Sequence, residues 1–122
     1  IELVGRVERT ELAQAFTRAD IYLQTSPAES FGISTLEARS AGLAVVAMRS
    51  SGVRDFITDG VDGLLADDDA GLGRELATLL GDDELLERIK THNYEVAPLA
   101  EWGAVAQMHV DTYRRAIALA GA

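Results

Sequence analysis

The stretch that decides the fold is "IYLQTSPAESFGISTLEARSAGLAVVAM", Ile21 to Met48. Its two ends, Ile21–Gln24 and Ala44–Met48, are brief apolar runs of the kind that form buried parallel strands. Between them Thr25–Gly32 reads as the loop at the carboxyl end of the first strand, and a helix starts near Ser34. Strand, loop, helix and strand together make one right-handed crossover. The same stretch carries two glutamates, Glu29 and Glu37, on either side of a Phe-Gly turn. What those carboxylates do is the functional question.

Outward from this unit the alternation continues. Ile1–Val4 and Leu64–Ala66 are further strand-like runs. Leu12, Ala15, Phe16 and Ala19 fall at helical spacing behind Thr10 as N-cap. Leu72, Leu76, Leu79 and Leu80 mark a helix ended by Gly81, and Asp82 or Asp83 caps the next, with Leu85, Leu86 and Ile89 inward. A last helix runs from about Glu101 to Leu119 with Trp102, Val105, Met108 and Tyr113, after a connector over Asn93–Ala100 that contains Pro98. This order predicts an α/β fold: a layered, Rossmann-like sheet of mainly parallel strands flanked by helices. Ligands of such sheets sit beyond the carboxyl ends of the strands, which selects Gly5–Glu8, Thr25–Ser34, Arg49–Arg54 and Asp67–Asp69.

Composition excludes more than it names. With 122 residues, 48% of them apolar, the chain is one domain or a piece of a larger one with material for a core. It starts on "IELVG" without an initiator methionine, as an excised segment would. There is no cysteine, hence no disulfide frame or thiolate metal site, and a reducing cytosol suits it. No apolar run reaches the roughly 18 residues of a membrane helix, and no signal peptide is visible. A formal charge of −9, from 20 acidic against 11 basic residues, repels nucleic acid and anionic lipid. A single anionic ligand can still bind where backbone donors and a helix dipole outweigh the distant field.

In the opening stretch, backbone N–H groups at the helix start, with Gly32 permitting close approach, form a natural cradle for a diphosphate. A hydrolytic acid/base pair would need carboxyls about 5 Å apart, or about 6.5–9.5 Å for inversion, and the spacing of Glu29 and Glu37 guarantees neither. On residues alone, Glu37 is better explained by Ser34-Thr35-Leu36-Glu37, an S-x-x-E capping box, than by ligand binding. Glu29 has a weaker bland reading, a solvated loop carboxylate. Asp67-Asp68-Asp69 spells D-x-D, but between a strand and a helix it reads as a loop with an N-cap. His92 and His109 lack paired ligands and read as surface or packing residues, while Trp102 and Tyr113 read as packing anchors.

The ordered set of motifs from "GRVERTEL" through "ESFGISTLEA", "AGLAVVA", "GVRD" and "DGVDGLL" to "LGDDELLERI" and "EW" resembles the C-terminal domain of retaining family 4 glycosyltransferases of the GT-B fold. Glu29 and Glu37 match that family's E-x7-E motif. The resemblance implies that residues 1–122 are the later part of that domain, with its first part and an N-terminal acceptor-binding domain absent. It implies a nucleotide-sugar donor, retention, and neither metal nor cofactor. Glu29, Phe31 and Gly32 would bind the donor sugar. The backbone of Gly32, Ile33 and Ser34 would hold the diphosphate, Glu37 the ribose, and Arg6 and Val7 would line the base pocket. A starch- or sucrose-synthase-like relative shares this module; a non-catalytic sugar-nucleotide sensor or assembly module is the alternative from another class.

Ser30, Arg39, Ala44, Ser51 and Asp55 depart from the family's usual residues. The Arg/Lys pair that grips the donor phosphates would precede Ile1, so the isolated segment is expected not to transfer sugar. Its first strand, deprived of its usual neighbours, is expected to be displaced, swapped, or paired onto the edge beside Ile21–Gln24. A homodimer through the cut sheet is a further expectation.

Overall fold

The computed structural model describes residues 2–98 and 102–120, with the backbone alone at 102 and 104. Three parallel strands lie in the order β1 (Ile21–Gln24), β2 (Ala44–Met48), β3 (Gly63–Ala66). Ile21 is opposite Ala44, and Val45 is opposite Gly63. All five residues of β2 are buried, which is why this strand reads as an unbroken apolar run.

Alternation along the strands divides the core in two. Ala44, Val46 and Met48 join Leu64 and Ala66 to face Leu72 and Leu79 of α3 (Asp69–Gly81) and Ile89 of α4 (Asp83–Glu95). Val45, Ala47 and Leu65 point the other way, against Val53, Phe56 and Ile57 from a short 3-10 turn (Gly52–Asp55) and its continuation. Two further helices flank this layer. α1 (Arg9–Phe16) and α2 (Ile33–Ser40) meet where Phe16 packs with Ala38 and Leu43. Phe16 also meets the Tyr22 ring edge-on at 5.9 Å. The expected α/β class, with parallel strands flanked by helices, is the one observed.

Several local expectations need correction. Residues 2–4 form no strand: Leu3 is 92% exposed and Val4 66%, and β1 has β2 as its neighbour, so the edge-pairing expectation fails. With no strand alongside, water is left to satisfy the polar groups of this backbone; Ile1 lies outside the described residues. Thr10 is not the N-cap of α1. Glu8 is, and its N–H donates to Glu11 Oε2 at 3.1 Å. Ala19 falls beyond that helix, and Ala15 is exposed on it. Leu80 is exposed near the end of α3 and is not part of the core that Leu72 and Leu79 join. Between α3 and α4 it is Asp82 that caps, accepting from Leu85 N–H at 2.9 Å.

Asn93–Glu95 belong to α4 rather than to the connector. Asn93 is held there because its Nδ2 donates to the carbonyls of Leu43 at 2.7 Å and Asp62 at 2.8 Å. The last helix, α5 (Trp102–Ala120), leaves Met108 and Tyr113 exposed, so Tyr113 is not the expected packing anchor. The expectation for the Trp102 side chain lies outside what is described.

Candidate functional site

β1 delivers the chain to the carboxyl end of the sheet, where residues 25–32 turn back into α2. Gly32 is the N-cap, with φ at +87°. Only glycine takes that angle without strain, and a Cβ there would also stand 2.7 Å from Val53 Cγ1. Leu36 N–H makes the first helical bond, to Gly32 O at 2.9 Å. The N–H groups of Ile33, Ser34 and Thr35 therefore precede the helical ladder and are left for other acceptors. The Thr35 side chain is buried, and its hydroxyl has no hydrogen-bond partner among the described residues. Tyr22, on β1, donates its hydroxyl to Ser34 Oγ at 2.9 Å.

Glu29 is no solvated loop carboxylate. Its Oε1 accepts from the N–H groups of Phe31 at 3.3 Å and Gly32 at 3.1 Å, so it shapes the loop that carries it. Of the two, the Gly32 N–H is one the resemblance assigned to the diphosphate; in this structure both serve Glu29. The loop is backed by the turn after β2, where Gly52 N–H donates to Glu29 O at 2.8 Å. The Phe31 ring lies 5.3 Å from that of Phe56.

Glu37 does not close a capping box. The cap is Gly32, two residues before Ser34, so Ser34 and Glu37 both lie inside the helix. Glu37 Oε1 instead accepts from Arg9 Nη2 at 3.3 Å, bringing the start of α1 to α2. A cleft of about 340 Å³ opens between the two helices, lined by Arg9, Leu12, Phe16 and Glu37 among others. Arg6 and Val7 are exposed and stand just before Glu8, the N-cap of α1. Each glutamate thus has its own partner within the chain.

Arg49, Asp59 and Asp67, near the sheet's carboxyl end, are engaged with one another. Arg49 donates to Asp59 Oδ2 at 2.5 Å and Asp67 Oδ1 at 3.1 Å, and the bond to Asp59 holds its pKa above the ordinary arginine value. Burial alone would raise the Asp59 carboxyl, but Arg49 and the Leu65 N–H outweigh it and keep the carboxyl below its usual range. Asp68 accepts from Gly71 N–H at 2.6 Å and caps α3, so the D-x-D spelling is a loop and an N-cap. His109 Nδ1 lies 2.8 Å from Val105 O on its own helix.

Arg39, which the sequence presented only as a substitution, is buried. It binds Asp62 through Nε at 3.0 Å and Nη2 at 2.6 Å, and Val96 O through Nη1 at 2.7 Å. His92 Nε2 is 3.3 Å from the same Asp62 oxygen. This knot ties α2 to the β3 approach and to α4, fixing the helix that carries Glu37. Sequence reasoning missed it, as it missed Arg9, because the partners are far apart in the chain. The one available signal was a charged residue on the inward face of a helix.

Three parallel strands, helices on both faces, and a loop–helix turn beyond the first strand define a Rossmann-like α/β unit of the GT-B kind. The chain belongs to the family of glycosyl transferases group 1, whose profile matches residues 1–96. It is 36% identical over 111 residues to a D-inositol 3-phosphate glycosyltransferase of Corynebacterium glutamicum, covering 89% of this chain and 27% of that protein. It is 35% identical over 116 residues to a phosphatidyl-myo-inositol mannosyltransferase of Mycobacterium leprae, covering 93% and 31%. The crystal structure of Anabaena HepE in complex with UDP-glucose shares the fold, with a TM-score of 0.70 at 24% identity over 88% of this chain and 30% of that one. The chain thus spans under a third of the length of each of these proteins.

Proposed function

We propose that this chain carries the nucleotide-sugar donor site of a retaining, metal-independent glycosyltransferase. The observation that carries the reading is the start of α2, where a left-handed Gly32 exposes first-turn N–H groups between Glu29 and Glu37. An anionic diphosphate placed there meets aligned N–H donors and the positive end of the helix dipole. In this reading the backbone N–H groups of Ile33 and Ser34 take the diphosphate, and Gly32 lets it approach closely. Glu29, whose Oε1 is engaged with the loop, offers Oε2 to a sugar hydroxyl beside Phe31. Glu37 takes the ribose, and Arg6 and Val7 line the base pocket.

In the transfer itself the glycosyl–phosphate C–O bond breaks, the nucleoside diphosphate leaves with the electron pair, and the acceptor hydroxyl passes its proton to the departing phosphate oxygen as the new glycosidic bond forms. The helix N-terminus stabilises the negative charge that develops on the leaving diphosphate. The family membership supports glycosyl transfer, and the UDP-glucose in the HepE complex supports a nucleotide-sugar donor. We assign the acceptor to a part of the longer protein outside this chain, the location to the cytosol, and any self-association to the open edge of β1, where Leu23 is exposed. Molecular mass in solution by sedimentation tests the last point; a monomer at all concentrations overturns it.

The test of the donor site is titration of UDP, ADP and GDP into the chain, followed by backbone amide NMR. Shifts at Gly32, Ile33 and Ser34 that weaken in Glu37→Gln are expected. No shift with any of the three, or equal affinity in the variant, overturns the reading. Sugar transfer by the full-length protein separates an enzyme from a sensor, and transfer by the isolated chain would overturn its expected inactivity.

A further inference from the structure

Arg9 is 91% exposed and makes a single contact to Glu37, at 3.3 Å. A pair this open adds little to folding, since exposed ion pairs are worth about 0–1 kcal/mol. Its position is the informative part. Arg9 opens α1 directly after Gly5–Glu8, while Glu37 sits one turn into α2 behind the phosphate-facing N–H groups. The contact therefore joins the segment read as the base pocket to the residue read as the ribose ligand. It uses Glu37 Oε1 and leaves Oε2 to accept from a hydroxyl.

Electrostatics gives the contact a second role. The chain carries a net charge of −9, and two carboxylates flank a site meant for a diphosphate. Beyond about 8 Å such charges are largely screened at physiological salt, so the local balance decides. Arg49, at the end of the neighbouring strand, is held by Asp59 and Asp67. Arg9 is the cation placed on Glu37 itself.

We infer that Arg9 is a positioning residue for nucleoside recognition: it fixes the Glu37 carboxylate toward a ribose diol and offsets its charge beside the diphosphate. This rests on the donor-site reading above and deepens it, because it makes the preference for a ribonucleotide over a deoxynucleotide depend on α1. Arg9 need not touch the ligand. A single N–H···O contact, rather than a fork, means a lysine can substitute in part.

The test compares Arg9→Gln and Arg9→Lys with wild type, using whichever of UDP, ADP or GDP binds best and its 2′,3′-dideoxy counterpart. Arg9→Gln is expected to weaken the ribonucleotide about two- to fivefold, the upper part of the range for an exposed ion pair. The dideoxy analogue, lacking the diol but keeping the diphosphate, should lose less, because only the charge offset is left to act on it. In a Glu37→Gln background the Arg9 effect should vanish, and Arg9→Lys should recover most of the affinity.

If Glu37→Gln weakens binding and Arg9→Gln does not, the Arg9 assignment is overturned while the donor site stands. An Arg9 effect as large on the dideoxy analogue as on the ribonucleotide, or one that persists in the Glu37→Gln background, makes Arg9 a direct ligand contact and overturns the positioning role. Absence of nucleotide binding by wild type overturns the underlying reading, and the Arg9 inference with it.

Discussion

Gly52 is pressed so closely onto the peptide of Ser30 that a Cβ would stand 1.9 Å from the Ser30 carbonyl oxygen. Its N–H also donates to the Glu29 carbonyl at 2.8 Å. The turn after β2 is thus the wall against which the Glu29 loop is formed. Gly52→Ala should force the two loops apart and cost about 1–3 kcal/mol, as overpacking in a close-packed site does. Urea unfolding measures the loss, and the amide resonances of Phe31 and Gly32 should move with it. An unchanged midpoint with unchanged resonances would mean the turn does not support the loop.

Gly32 presents two separable demands, a φ of +87° and a Cβ position 2.7 Å from Val53 Cγ1. Gly32→Ala meets both penalties, with the left-handed backbone alone costing about 1–2 kcal/mol. Removing the clash through Val53→Ala in the same chain should recover the steric part and leave the conformational part. Thermal melts of the two single variants and the double variant form the cycle. Full additivity of the two substitutions would show that Val53 is not what confines this glycine.

The extent to which the sequence revealed all this follows from which interactions are local. β2 was legible because a strand buried on both faces must be apolar throughout, and Val45 to Ala47 are. The start of α2 was misread by two residues, since S-x-x-E spells a capping box whether or not the chain bends left-handed at Gly32 first. Glu29 was singled out correctly as a residue of the loop, but its bonds to Phe31 and Gly32 depend on a turn geometry that no spacing encodes. Arg9 and Arg39 were invisible as partners because Glu37 and Asp62 lie 28 and 23 residues further on. Leu80 and Tyr113 mark the converse error: helical periodicity identifies a face without saying that anything packs on it.

Arg39 and Asp62 form a buried ion pair, and breaking one side should be costly. Arg39→Met leaves the Asp62 carboxylate buried without its cation, for a loss of about 3–5 kcal/mol. Pairing it with Asp62→Asn should return part of that loss, which chemical denaturation of the single and double variants measures. If the double variant is no more stable than Arg39→Met, the uncompensated charge is not the source of the penalty.

The same aspartate sets an acid limit. Burial alone would raise the Asp62 carboxyl, but the Thr58 N–H and the Arg39 guanidinium outweigh it and hold the carboxyl below its usual range. A carboxyl lowered by folding contributes stability that is fully present above the unfolded value, about 3.9, and is lost as pH falls through the folded value. Wild type should therefore lose stability more steeply than Asp62→Asn as the pH drops below about 4.5. The difference between their denaturation midpoints, followed from pH 7 downward, isolates this group from the other carboxylates. A constant difference across that range would remove Asp62 from the acid response.

Glu29 combines loop shaping with the proposed sugar contact, and two substitutions separate them. In Glu29→Gln a carbonyl oxygen remains to accept from Phe31 and Gly32 N–H, so the loop should persist. Glu29→Ala removes both bonds and should cost about 1–2 kcal/mol, roughly the net worth of two exposed or half-buried hydrogen bonds. If Oε2 also holds a sugar hydroxyl, Glu29→Gln should bind UDP as wild type does and UDP-glucose more weakly, because a charged acceptor is replaced by a neutral group. Calorimetry with the two ligands reads the difference, while the amide resonances of Phe31 and Gly32 report on the loop. Equal affinity for UDP-glucose in both proteins, with the loop intact, would leave Glu29 a loop-shaping residue alone.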